Sequence, residues 1–109
     1  MLILFDNGTP RTLSRYLIDR HAVTEARTRG WEDLDNGELL SEAEAAGFEV
    51  LVTTDKNLPY QQNLSHRKIA IVVLGKGRWS LIKPHVARIV AAINTAAPGS
   101  YTEVDIPSG

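Results

Sequence analysis

The chain has 109 residues, 43% of them hydrophobic, a formal net charge of −1 and no cysteine. That length suits one domain, residues 1–109, able to bury a working core without disulfides, and the absent thiols exclude a zinc–thiolate cluster and a cysteine nucleophile. No apolar stretch with a basic start resembles a signal peptide and no run approaches membrane length, so a cytoplasmic protein with no membrane partner is the expectation.

The small net charge hides a segregation. Residues 1–55 hold eleven acids and five bases, whereas residues 56–102 hold seven bases and no acid. Such asymmetry implies a polyanionic partner beside an acidic centre, unless packing remixes the two segments into an evenly charged surface.

In chain order, Leu2 to Phe5 is a fully apolar run that reads as a buried strand, followed at once by Asp6, Asn7 and Gly8. Thr9 and Pro10 predict a helix start, with Leu13, Tyr16 and Leu17 as its apolar stripe. His21 to Ala26 alternates and predicts a short strand, and Arg27 to Trp31 a turn. Leu34 to Gly47 predicts a helix: Asp35 or Asn36 caps it, Leu39, Leu40, Ala43 and Ala46 recur at helical spacing, and Gly47 stops it. With Asp35 as cap, Glu38 stands where a capping box places its carboxylate; the functional alternative points it across the sheet rim toward Asp6 and Asp55.

Val50 to Val52 is apolar on both faces and predicts a central parallel strand, ending in Thr53, Thr54, Asp55, Lys56 and Asn57. Asp55 thereby falls at the carboxyl end of a central strand, the rim where α/β sheets bind ligands, although an Asp there also serves turns. Leu58 to Leu64 predicts a short helix starting at Pro59, whose Tyr60, Gln61 and Gln62 either pack or contact a base. Ile69 to Leu74 predicts another buried strand, and Gly75 to Trp79 a loop carrying Lys76 and Arg78, with Trp79 either stacking on a base or packing on the sandwich. The last helix opens at Ser80 or Lys83, with Pro84 confined to its first turn, and Tyr101 to Ile106 suits an edge strand.

Strands alternating with helices predict a three-layer α/β/α sandwich around a mostly parallel sheet. If the first strand lies beside the third, the order is 2-1-3-4-5 and Asp6 and Asp55 finish next to each other. Converging carboxylates without cysteine or a paired histidine motif favour a hard cation, Mg²⁺ or Mn²⁺, suited to phosphoryl chemistry. Lys56, Lys76 and Arg78 would then hold surrounding phosphates. A phosphotransfer receiver domain is excluded: it needs an acidic pair after the first strand, a hydroxyl after the fourth and a lysine after the fifth, and these positions offer Asp6 with Asn7, Gly75 and no lysine.

The phrases LILFDNGTP, NGELLSEAEAAGFEVLVTTDKNLPYQQNL and IAIVVLGKGRW resemble the small PIN-like proteins of bacteria, relatives of the PIN-domain ribonucleases often counted among toxin components of toxin–antitoxin pairs. The resemblance covers nearly the whole chain and is most specific in the strand aspartate paired with TTDKN. It implies a PIN-like sandwich, a pocket for Mg²⁺ or Mn²⁺, and metal-dependent endoribonuclease hydrolysis of RNA phosphodiesters, with a cognate antitoxin protein as a further partner; whether the chain forms a homo-oligomer the sequence leaves open. By motif position it makes Asp6, Glu38 and Asp55 the catalytic and metal-binding acids, with Asn7, Asn36 and Asn57 around them. Related sequences often carry acids where this chain has Asn7 and Asn57, which lowers the charge of the pocket. That departure keeps a second expectation open, a PIN-like module that binds nucleic acid or a protein without cutting.

Overall fold

The five stretches expected to extend do so as one sheet: β1 (Leu2–Phe5), β2 (Ala22–Glu25), β3 (Val50–Thr53), β4 (Ala70–Val73) and β5 (Tyr101–Glu103). The structure, a computed structural model, describes residues 1–58 and 64–107. The strands lie in the order β2-β1-β3-β4-β5, and every neighbouring pair is parallel, the last included. The order reverses between β1 and β3, where Ile3 faces Val50 and Phe5 faces Val52.

Side chains alternate across this sheet and feed two cores. On one face Ile3, Phe5, Val50, Val52 and Val72 pack against Leu13, Leu17, Ile82, Ile89 and Ile93. On the other, Leu4, Leu51, Ile71 and Val73 pack against Leu39, Leu40 and Ala43. Helical segments therefore cover both faces, which makes the chain an α/β sandwich. Burial of each such side chain stabilises the fold by about 1.5–3 kcal/mol, and this explains why the central strands read as unbroken apolar runs.

Helix α1 (Asn36–Ala45) has the expected capping box: the Asp35 side chain accepts from Glu38 N at 2.8 Å, and the Glu38 carboxylate accepts from Asp35 N at 3.4 Å. The segment after β1 differs from expectation. It is a 3-10 turn, Arg11–Tyr16, with Pro10 at the capping position, because the Thr9 hydroxyl donates to the Val52 carbonyl at 2.9 Å and caps nothing. Leu13 and Leu17 are buried as expected, but Tyr16 is not. The C-terminal helix also divides: α2 (Trp79–Ile82), a 3-10 turn at Lys83–His85, then α3 (Val86–Asn94). Pro84 sits in that 3-10 turn, where its missing N–H and its ring interrupt the α ladder. The helix expected from Leu58 to Leu64, with Tyr60, Gln61 and Gln62, falls largely outside the described residues.

Candidate functional site

Because β1 and β3 are adjacent and parallel, the residues that follow them emerge on one rim of the sheet. Asp6 extends the ladder by one more bond, its N–H donating to the Val52 carbonyl at 3.0 Å, and its carboxylate then turns toward β3. Thr53, the last residue of β3, joins the two acids. Its hydroxyl donates to Asp6 Oδ2 at 2.7 Å and accepts from the Asp55 N–H at 3.1 Å. Thr53 is fully buried, so this hydroxyl has no water to substitute for either partner.

Every oxygen of the two carboxylates has a donor. Asp6 Oδ1 accepts from Asn7 N at 2.7 Å, Asp55 Oδ1 from Asn57 N at 2.9 Å, and Asp55 Oδ2 from Asn36 Nδ2 at 3.2 Å. The Asn36 bond brings the start of α1 to the rim. Asn7 Nδ2 donates to the Glu32 carbonyl at 2.9 Å and ties the turn after β1 to the segment leading into α1. Asp6, Asn7, Asn36, Asp55 and Asn57 thus gather at one place, and each asparagine positions backbone or a carboxylate there.

Glu38 stands apart from this arrangement. It is exposed, with its carboxylate directed to the Asp35 N–H in the capping box. Among the described residues, no three acidic or histidine side chains group closely enough to hold an ion together. The remaining donor set is two carboxylates, both partly exposed, each oxygen holding one hydrogen bond and retaining a second lone pair. That set fits a hard cation such as Mg²⁺, which binds through one or two carboxylates and keeps several of its waters.

The basic residues reach the same rim through glycines. Gly75 has φ 70°, a left-handed conformation that side chains rarely adopt, and the stem of Lys56 lies across it where any Cβ would collide. Gly77 lies against the turn after β1, where a Cβ would stand 2.9 Å from the Gly8 carbonyl oxygen. The loops after β1, β3 and β4 are thereby interlocked, which brings Lys56 and the loop carrying Lys76 and Arg78 to the rim of the two aspartates. On the other side, Arg27 Nη2 lies 3.4 Å from the Asn7 carbonyl oxygen. Packing mixes the two charge segments: Arg27 of the first stands at this rim, and Arg67 of the second pairs with Glu44 at 2.7 Å.

Two of these participants were not singled out in the sequence. Thr53 read as the end of an apolar strand, and its only signal was a hydroxyl immediately before the TD pair. Arg27 read as a turn residue, and nothing local marks it, since its place depends on β2 pairing with β1. No protein-family model, curated protein or solved structure matches the chain.

Proposed function

We propose that this rim binds Mg²⁺ or Mn²⁺ and hydrolyses RNA phosphodiesters, the chain acting as a metal-dependent endoribonuclease of PIN-like type. The observation that carries the reading is the joining of Asp6 and Asp55 through the Thr53 hydroxyl, at the point where strand order reverses. Asp6 and Asp55 would hold the cation, which when bound supplies a Lewis acid for a phosphoryl oxygen and an acidified water. Thr53, Asn36 and the N–H groups of Asn7 and Asn57 keep the two carboxylates from rotating away. Lys56, Lys76 and Arg78 hold the phosphates that flank the scissile one. Within this reading, a toxin paired with a cognate antitoxin is the cellular role that the sequence resemblance suggests.

A second reading has a specific observation behind it. Glu38 belongs to its capping box, so the rim offers two acids rather than three, and a site of low charge suits a module that binds nucleic acid or a protein without cutting. Calorimetric titration of the pure protein with Mn²⁺, with RNA cleavage assayed in the same samples, separates the two. Binding with cleavage supports the nuclease; RNA binding with neither supports the module.

A further inference from the structure

Tyr16 occupies a position that the helical pattern assigns to the core, yet it is 49% exposed. Its ring lies beside that of Trp79, centroids 5.9 Å apart and planes tilted by 33°. Trp79 packs against the hydrophobic core and so forms a fixed wall, leaving Tyr16 open on its outer side. Trp79 directly follows the Gly75–Arg78 loop, and Arg78 is the residue that caps α2. Trp79 thereby connects Tyr16 to the loop that carries Lys76 and Arg78.

Next to Tyr16 runs a groove of about 280 Å³, lined also by Asp19, Arg20, His21 and Asn94, near the lower end of ligand-pocket sizes. His21 Nε2 lies 2.6 Å from Asn94 Oδ1, which holds that wall in place. Arg15, in the last turn before Tyr16, is exposed. An open ring on a rigid backing, with cations along the chain on either side of it, is what an unpaired base and its phosphates require. A duplex keeps its bases stacked inside and cannot use such a ring.

Resting on the reading of the rim as an RNA site, we infer that Tyr16, backed by Trp79, is a stacking platform for one unpaired base of a single-stranded nucleic acid whose phosphates are held by Lys76, Arg78 and Arg15. Binding is to be measured by fluorescence polarisation in EDTA, where nothing is cut, with three labelled probes of equal length: a single-stranded oligoribonucleotide, an abasic strand and a duplex. The full chain binds the base-bearing strand most tightly. Tyr16→Leu weakens that strand by roughly 5- to 150-fold, leaves the abasic strand unchanged, and Tyr16→Phe restores the affinity. Equal affinity of the unmodified protein for the base-bearing and abasic strands overturns the platform without depending on any variant's folding, and cleavage of RNA in Mn²⁺ by that same protein leaves the nuclease reading intact. Failure to bind either strand also overturns the platform, and absence of cleavage in Mn²⁺ besides overturns the nuclease reading.

Discussion

Replacing Thr53 with Val keeps the shape of a fully buried side chain and removes only the hydroxyl that joins the two aspartates. Two hydrogen bonds disappear: one to a carboxylate at 2.7 Å and one from the Asp55 N–H at 3.1 Å. A hydrogen bond to a charged group contributes about 1.5–3 kcal/mol and a neutral one about 1 kcal/mol. The valine variant should therefore lose about 3 kcal/mol, which in a chain of this length lowers Tm by roughly 10–20 °C. Thr53→Ser keeps the hydroxyl and gives up one methyl, so its loss should stay near 1 kcal/mol. Urea denaturation of the three proteins, alongside Mn²⁺ titration, reads both consequences. The valine variant should also bind Mn²⁺ more weakly than the serine variant, because Asp6 loses the donor that orients it. Equal stability and equal Mn²⁺ affinity in the two variants would refute the role given to the hydroxyl.

Three further outcomes are expected. The affinity for single-stranded RNA should fall steeply with added salt, and Lys76→Ala or Arg78→Ala should each reduce the slope of log affinity against log salt by about 0.7, as measured by polarisation across a salt series. At Glu44, burial alone would raise the carboxyl pKa, but the hydrogen bond and positive charge of Arg67 and the backbone N–H groups of Lys68 and Ile69 outweigh burial and hold the pKa below the ordinary glutamate value. A depressed folded-state pKa stabilises above the unfolded value and stops doing so as pH falls through the folded one. Glu44→Gln should thus lose about 1 kcal/mol at neutral pH, and denaturation curves of variant and parent should converge as pH falls below the ordinary glutamate range. Finally, Asn57→Asp places a carboxylate beside Asp55 without removing the Asn57 N–H bond to Asp55 Oδ1, so calorimetry should show tighter Mn²⁺ binding.

What the sequence discloses follows from how local the deciding interactions are. The central strands β1, β3 and β4 are covered on both faces, so their apolar runs declare them, and the acids that end β1 and β3 suffice to argue for the order of the sheet. The capping box of α1 is equally local, with Asp35 and Glu38 three residues apart. The direction of β5 was not legible, because its three exposed residues carry no core pattern and its parallel pairing to β4 depends on where α3 delivers the chain. The 3-10 turn after β1 was hidden for a similar reason: Thr9 is drawn to a carbonyl 43 positions away, which no local pattern reveals. Among the site residues, the rim placement of Asp6 and Asp55 was readable from strand ends. Their connection through Thr53 was not, since it requires the Ile3–Val50 and Phe5–Val52 register that only the folded sheet fixes.

On the proposed reading Asp6 and Asp55 together hold the metal ion at which phosphodiesters are cut. The most direct test is cleavage of single-stranded RNA in Mn²⁺ by the parent and by Asp55→Asn. The substitution keeps an oxygen that can accept from Asn57 N and gives up the acceptor that Asn36 Nδ2 uses on the other oxygen, so folding should lose no more than about 1 kcal/mol. The parent should cut, and the variant should lose both cleavage and Mn²⁺ binding while melting within a few degrees of the parent. An Asp55→Asn protein that cuts RNA as fast as the parent would contradict the account.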